Sequence, residues 1–159
     1  MIYRARPRLR DRARAIRCGG PRTPGERAAP IPGCMESSAG DFDSDGNDDI
    51  LSGAPGKMNP RTESDGGEGA TYVFYGNSSM ADIDLSITSL SPDRNGFIVF
   101  GAMSSDSLGT SVSSAGDIHG DGYGDIMIAA PNKDSLYADN GAVYVIYGRK
   151  DVPVSFTID

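Results

Sequence analysis

The chain has 159 residues, a length typical of one domain or of a piece of one. Hydrophobic residues make up 38% of it and glycine occurs 21 times, which favours a loop-rich globular fold with short elements over a helical bundle. No apolar run approaches the roughly 18 residues that a membrane-spanning helix requires. We therefore expect no membrane span in this sequence.

Charge divides the sequence into two parts. Residues 1–35 contain nine of the 15 basic residues and two acidic ones, whereas residues 36–159 contain six basic and 20 acidic residues. The second part therefore carries a net charge of −14. Such a surface repels nucleic acid and anionic membranes and attracts cations. We expect no nucleic-acid partner for this part of the chain.

Residues 1–35 interleave arginine with alanine, proline and glycine. They show neither the apolar periodicity of a helix or strand nor the apolar core of a signal peptide. We interpret them as a disordered leader or as a start that is not the natural one, although such segments can also bind nucleic acid or act as transit peptides. Cys18 and Cys34 both lie here, and their spacing leaves open whether they form a disulfide.

A short acidic loop comes next, with acids at its first, third, fifth and ninth positions and glycine at its sixth. It reads Asp41-Phe42-Asp43-Ser44-Asp45-Gly46-Asn47-Asp48-Asp49. Alternate residues of a tight loop point inward, so four carboxylates and the main-chain carbonyl of the seventh residue converge. Carboxylates this close need a counter-charge to stay ionised, and an all-oxygen donor set suits calcium. The predicted ligands are Asp41, Asp43, Asp45, Asn47 and Asp49.

This loop differs from an EF-hand, which requires a glutamate at its twelfth position and a helix on each side. Here the twelfth residue is Ser52, and an apolar, β-leaning run follows at residues 50–55. We therefore expect the loop to connect two strands. The alternative is an acidic, solvated turn that binds no ion.

The other elements of the first half are short and of β type. A polar tip at residues 56–68 precedes a strand at 69–76, which is rich in β-branched and aromatic residues and bounded by glycines. A connecting segment at 82–90 leads to a further strand at 96–101. Asn77 begins an Asn-Ser-Ser triplet, so it is a candidate glycosylation site if the chain enters a eukaryotic secretory pathway.

The same order of elements returns in the second half. The second acidic loop lies 76 residues after the first and reads Asp117-Ile118-His119-Gly120-Asp121-Gly122-Tyr123-Gly124-Asp125. Its predicted metal ligands are Asp117, His119, Asp121, Tyr123 and Asp125. His119 puts an imidazole where the first loop has a carboxylate, and imidazole suits softer metals than calcium. We do not expect catalysis by His119, because no serine or cysteine motif accompanies it.

One repeat therefore has four short strands, with the acidic loop between the first two. Four antiparallel strands recurring at a long period are typical of a β-propeller blade, so we predict an all-β fold. The repeat region spans 36–159, with a partial repeat at 36–102 and a second repeat at 103–159. So few blades cannot close a ring and leave sheet edges open. We expect an incomplete propeller, from a fragment of a longer protein or from a chain that assembles with its copies.

The motifs resemble the FG-GAP repeats of integrin α-subunit β-propellers and of their bacterial and secreted relatives. The resemblance covers about residues 36–159. It rests on the two acidic loops and on Gly53-Ala54-Pro55, Ala129-Ala130-Pro131, Leu108-Gly109 and the strands at 69–76 and 141–148. Three positions depart from the family pattern: Leu108 replaces its phenylalanine, Ala129 replaces a glycine, and His119 replaces an oxygen ligand.

The resemblance implies a calcium-binding module of an extracellular or cell-surface protein that acts in adhesion or recognition, with calcium in a structural role. Its partners would be a protein or extracellular-matrix ligand at the variable tips, and neighbouring blades in a longer chain. It implies no catalysis by this chain. The alternative is the accessory propeller of a secreted hydrolase such as a phospholipase D. Nucleic-acid binding through residues 1–35 is a third hypothesis.

Overall fold

The computed structural model of the protein describes residues 16–17, 35–62, 66–76, 83–84, 95–133, 140–153 and 155–159. Every regular element in these ranges is a β-strand: β1 Ile16–Arg17, β2 Met35–Gly40, β3 Asp49–Ala54, β4 Ala70–Phe74, β5 Ile83–Asp84, β6 Gly96–Gly101, β7 Ser111–Gly116, β8 Asp125–Ala130, β9 Ala142–Ile146 and β10 Ser155–Ile158. The prediction of an all-β fold is confirmed. No helix long and apolar enough to cross a membrane occurs among the residues described.

The first blade is an antiparallel sheet of β2, β3, β4 and β6. Leu51 of β3 lies opposite Val73 of β4, which lies opposite Phe97 of β6. Branched and aromatic side chains of this kind fit the pleated, half-buried surface of a sheet. The register of the β2–β3 pair shifts between Ser38 and Gly40, directly before the first acidic loop. The predicted four-stranded blade is therefore confirmed.

The second blade contains three described strands, β7, β8 and β9, again antiparallel. Met127 of β8 lies opposite Val145 of β9, which repeats the register of the first blade. The same register shift occurs between Ser114 and Gly116, directly before the second acidic loop. The two sheets do not close into a ring. The fold is an incomplete β-propeller, as predicted.

Strand β10 joins the first sheet and not the second. It runs parallel to β6, with Phe156 opposite Val99. The equivalent strand of the first repeat, β5, also pairs in parallel, with Ile83 opposite Ile16 of β1. In each repeat, this strand (β5 or β10) therefore pairs with a strand that comes before the repeat in the chain (β1 or β6). Strand β5 falls in the connecting segment expected at residues 82–90, and neither parallel pair is predicted from the sequence.

Strand β1 lies inside residues 1–35, the segment interpreted from its sequence as a disordered leader. The other residues of positions 1–34, including Cys18 and Cys34, lie outside the described residues, as does Asn77. The disulfide, the glycosylation site and the boundaries of the leader and repeats remain predictions.

The hydrophobic core lies between the two sheets. Successive side chains of a strand point to opposite faces, so β3 and β4 direct Leu51 and Val73 toward Ile126 and Ile128 of β8. Strand β10 adds Phe156 and Ile158, and β9 adds Tyr144 and Ile146. The buried members of this core are Ala39, Phe42, Leu51, Val73, Tyr75, Phe97, Val99, Leu108, Val112, Ile126, Ile128, Ala130 and Val152. The core therefore belongs to both blades at once.

The opposite face of the first sheet holds a second buried cluster. Its centre is the stacked ring pair of Tyr72 and Phe74, whose centroids lie 6.1 Å apart. Tyr144 and Ile146 of β9 are half-buried and pack against the core between the two sheets. Tyr72 and Phe74 are more deeply buried, but they lie on the face directed away from the second sheet.

The outer face of the second sheet is more open. Met127 and Val145 occupy the positions that Leu51 and Val73 occupy in the first sheet, where both are fully buried. In the second sheet they are 36% and 39% exposed. The two sheets thus have the same register but different neighbours.

Gly53 of β3 is a point of close approach between the sheets. A Cβ atom added there would lie 2.0 Å from the carbonyl oxygen of Gly109, which leads into β7. The corresponding residue of β8 is Ala129. The close approach explains why the first sheet has glycine at this position.

Candidate metal centres

The first acidic loop connects β2 to β3, as expected. Its turn is made by Ser44 and Gly46, whose φ values of 57° and 91° lie in the left-handed region that glycine adopts most easily. Phe42 is fully buried in the shared core, and its ring centroid lies 5.2 Å from that of Phe97. The loop is therefore fixed at one end by hydrophobic packing.

Hydrogen bonds from the main chain hold two of the predicted ligands in place. Asp41 accepts the N–H groups of Asp45 and Gly46 at 2.9 and 3.0 Å. Asp49 is buried and accepts the N–H groups of Phe42 and Gly76 at 2.8 and 2.7 Å. These bonds aim both carboxylates before any ion binds.

Three carboxylates converge in this loop. Asp41, Asp43 and Asp49 each offer one oxygen, and the three oxygens lie within 4.8 Å of one another. The other two predicted ligands lie beside this group. The carboxylate of Asp45 accepts the main-chain and side-chain N–H groups of Asn47 at 2.8 and 3.0 Å.

Burial in the first loop disfavours the charged form of two of its carboxylates. Burial raises the pKa of Asp49 to about 6, against the opposing effect of its two main-chain hydrogen bonds. Burial, followed by the charge of Asp45, also raises the pKa of Asp43, and Lys150 lowers it by a smaller amount. Like charges at short range oppose ionisation. A divalent cation would reverse this effect.

The side chain of Tyr75, close to these carboxylates, has a polar group that is buried without a partner in the described part of the chain. Its hydroxyl is buried and has no hydrogen-bond partner among the described residues. Burial raises the pKa of Tyr75, and the charges of Asp43 and Asp49 raise it further. An orphaned hydroxyl beside an all-oxygen donor set fits a hard cation such as calcium, which takes six to eight oxygen ligands at flexible geometry.

The second loop repeats this hydrogen-bond pattern position by position. Asp117 accepts the N–H groups of Asp121 and Gly122 at 3.1 and 2.8 Å. Asp125 is buried and accepts those of Ile118 and Gly148 at 2.8 and 2.9 Å. The amide of Tyr123 donates to Asp121 at 3.0 Å, as the amide of Asn47 does to Asp45. The two main chains are therefore built alike.

The two loops differ at their third position, which is an aspartate in the first and His119 in the second. The Nε2 atom of His119 lies 3.0 Å from Asp121 Oδ2, and its Nδ1 atom lies 3.2 Å from Asp125 Oδ2 and 3.9 Å from Asp117 Oδ1. The ring also packs against Tyr147, with centroids 4.5 Å apart. The structure thus brings four of the five predicted residues together, with the imidazole among the carboxylates.

The electrostatics of the two loops differ accordingly. The hydrogen bond with Asp125 raises the pKa of His119, and the three aspartate charges add to this effect. Burial tends to raise the pKa of Asp125, but hydrogen bonds from Gly148, Ile118 and His119 outweigh it and lower the pKa below its usual value. At the equivalent Asp49 the pKa is raised.

Two further polar clusters were not predicted from the sequence. Lys133 is nearly buried and contacts Asp106 at 3.5 Å and Asp159 at 2.6 Å, which links the segment after β8 to the end of β10. Buried Glu68 accepts the hydroxyl of Thr62 at 2.7 Å and the amide of Asn59 at 3.3 Å. Lys133 and Asp159 lie 26 positions apart, too far for a local motif to reveal their contact. Glu68 contacts residues of its own tip, but no motif in that tip marks them.

Asn59 connects the first tip to the outer strands of the first sheet. Its side-chain amide donates to the carbonyl oxygen of Gly101 at 2.9 Å and to the hydroxyl of Thr157 at 3.3 Å. Nearby, Arg61 donates to the hydroxyl of Ser155 at 2.6 Å. The base of the predicted recognition tip is thus attached to β6 and β10. Residues 63–65 at its end lie outside the described residues.

Known proteins match the chain in the region of the two loops. The FG-GAP repeat family matches residues 36–74 and 108–146. Integrin alpha-4 of Xenopus laevis is 32% identical over 120 residues, which cover 75% of this chain and 10% of that protein. The phosphatidylinositol-glycan-specific phospholipases D of Mus musculus and Rattus norvegicus are each 32% identical over 71% of this chain, and 12% and 13% of their lengths are covered.

The chain therefore spans 13% or less of the length of these relatives. Each matched segment covers three consecutive strands and one acidic loop. The first segment spans β2 to β4, and the second spans β7 to β9. Sequence match, blade architecture and loop position agree for both repeats, and the chain belongs to the FG-GAP repeat family.

Proposed function

We propose that this chain is a calcium-binding recognition module of an extracellular or cell-surface protein, and that calcium in the first loop is structural. The observation that carries the proposal is the convergence of Asp41, Asp43 and Asp49 within 4.8 Å. Burial raises the pKa of both Asp43 and Asp49, and a cation bound between them would favour their charged forms. In the proposed site, the side chain of Asp45 and the main-chain carbonyl of Asn47 complete the donor set.

Calcium bound there would offset part of the negative charge of the loop and so favour the folded blade. The protein's own residues already provide the rest of the site: main-chain amides orient Asp41 and Asp49, and Phe42 anchors the loop in the shared core. We expect a dissociation constant on the order of 10⁻⁴–10⁻³ M, the range of extracellular calcium modules. Calcium at ten times that constant would add about 1.4 kcal/mol to the free energy of unfolding.

Calorimetric titration of the full chain with calcium tests this function, with two aspartate variants as a matched pair. Asp43→Ala removes a proposed ligand and should weaken calcium binding by about tenfold or more, since ligand charge sets the affinity of calcium loops. Asp48→Ala removes the same charge from an exposed position outside the ligand set and should bind nearly as the parent does. Equal affinity for both variants, or no binding by the parent chain, would contradict a calcium site in this loop.

The proposed partner is a protein or extracellular-matrix ligand that contacts the variable tips at residues 56–68 and 132–140. The similarity to integrin alpha-4 supports this role. The attachment of the first tip to β6 and β10 through Asn59 and Arg61 supplies a rigid base for it. Neighbouring blades of a longer chain are the other proposed partners, and we propose no catalysis by these residues.

The phospholipase relatives support a second candidate, the accessory propeller of a secreted hydrolase. The two candidates differ in what the full-length protein would do. An accessory propeller predicts release of a glycosylphosphatidylinositol-anchored reporter by the full-length protein, whereas an adhesion module predicts none. The same measurement on residues 1–159 alone should give no release under either candidate.

A further inference from the structure

The two acidic loops form an internal comparison within one molecule. Both place an aspartate at the first, fifth and ninth positions, and both hold the first and last of these with the same main-chain amides. Only the first loop has an aspartate at the third position, Asp43. The second has His119 there. Among the four aspartate ligands predicted in the first loop, Asp43 is the one without an aspartate counterpart in the second, so His119 is the first residue to test for a difference in ion binding.

The imidazole of His119 lies where the carboxylates of its loop converge. Its two nitrogens lie within 4 Å of Asp117, Asp121 and Asp125, and two of these contacts are 3.0 and 3.2 Å. Histidine is a donor at both nitrogens when its ring is protonated. The ring can thus satisfy two carboxylates at once, as a cation would.

A calcium ion in this loop would need the same oxygens. The Oδ2 atom of Asp125 already accepts from the amide of Ile118 and faces His119 Nδ1, and the Oδ2 atom of Asp121 faces His119 Nε2. The packing of the ring against Tyr147 at 4.5 Å restricts its movement out of the loop. Imidazole nitrogen is also a poor replacement for an oxygen ligand of calcium.

We infer that the ring of His119 takes the place of the metal in the second loop, so that of the two acidic loops only the first binds calcium. The second loop then keeps the calcium-loop backbone without its ion, because an internal side chain links the three carboxylates. This is an alternative to the predicted metal site formed by Asp117, His119, Asp121, Tyr123 and Asp125. It rests on the proposed function only in taking the first loop as the calcium site.

Nuclear magnetic resonance of the full, ¹⁵N-labelled chain during titration with calcium chloride tests the inference. The amides of Gly46 and Gly122 report separately on the first and second loops. We expect a saturable shift of the Gly46 signal and no saturable shift of the Gly122 signal. A parent chain whose Gly122 amide responds saturably to calcium would overturn the inference. Silence of Gly46 alone would count against the proposed function and not against this inference.

The variant His119→Asp restores the third-position carboxylate of the first loop. It should produce a saturable calcium response at Gly122 with an affinity within about tenfold of that at Gly46, because ligand number and charge set calcium affinity. If that variant does not fold, His119→Asn supplies an oxygen ligand without extra charge and should show the same response at weaker affinity. A folded variant that stays silent at Gly122 would overturn the inference, since removing the ring would then not free the loop.

A titration of the parent chain with zinc chloride separates a ring that replaces the metal from a ring that binds one. Zinc accepts histidine and carboxylate ligands. We expect no saturable response at Gly122, because the ring nitrogens are engaged by Asp121 and Asp125. A response to zinc that His119→Asp abolishes would identify His119 as a metal ligand and overturn the inference.

Discussion

At the scale of single residues, Gly53 shows how closely the two blades approach. Its missing Cβ would meet the carbonyl oxygen of Gly109 at 2.0 Å, and a main-chain atom cannot move aside as a flexible side chain can. We predict that Gly53→Ala lowers the free energy of unfolding by about 2 kcal/mol, within the range for overpacked cores. Urea denaturation of the variant and the parent measures this difference.

Ala129 supplies the matched control, because it holds the same position in β8. Ala129→Gly should cost only about 0.5–1 kcal/mol, the usual entropic penalty of glycine in a strand. If Gly53→Ala were no more harmful than Ala129→Gly, the contact with Gly109 would not determine the residue at position 53.

At the scale of elements, β6 carries an aromatic side chain that contacts three other rings of the shared core. Phe97 is fully buried, and its ring lies 5.2 Å from that of Phe42, 6.2 Å from that of Tyr75 and 6.0 Å from that of Phe156. It therefore joins the first acidic loop, the first blade and β10. We predict that Phe97→Ala lowers the free energy of unfolding by about 3–5 kcal/mol, the usual cost of such a cavity.

Denaturant unfolding followed by circular dichroism measures this loss, with Val143→Ala as the control. Val143 is 65% exposed on the outer face of β9, so its truncation should change stability by only about 0.5 kcal/mol. Similar losses for both variants would mean that the packing around Phe97 does not dominate the stability of the chain.

At the scale of the whole molecule, the C-terminal strand holds the two halves together. Removing residues 154–159 would unpair the outer edge of β6, expose the core beneath Phe156 and Ile158, and break the contact of Lys133 with Asp159. We predict a single, cooperative loss of stability in both blades, because they share one core. Thermal unfolding monitored at the two sets of loop amides should show both blades melting together at a lower temperature.

The variant Asp159→Asn removes the ion pair with Lys133 but keeps strand β10, so it measures the contribution of the ion pair alone. The Asp159 side chain is largely exposed, and Lys133 keeps its contact with Asp106, so this variant should lose less than about 1 kcal/mol. Independent melting of the two blades after removal of residues 154–159, with one blade unaffected, would contradict the shared core.

The sequence predicted those features that depend on near neighbours in the chain. The spacing from Asp41 to Asp49 predicts the loop, and the branched and aromatic content of residues 70–74 predicts β4. The parallel pairing of β10 with β6 could not be predicted in this way, because residues 155–158 carry no local mark of a partner 57 positions earlier. Nor does spacing show that His119 turns toward Asp121 and Asp125, since that depends on side-chain torsion and packing.

Because β10 pairs in parallel with β6, the boundaries of the sequence repeat differ from those of the folded sheet. A recombination event that exchanged residues 103–159 as one cassette would also replace the outermost strand of the preceding sheet. The incoming cassette would have to match its neighbour along the register from Ser155 beside Ile98 to Ile158 beside Gly101. Adjacent repeats of this chain are therefore expected to evolve together, because a substitution in β10 or β6 must suit the strand that it pairs with.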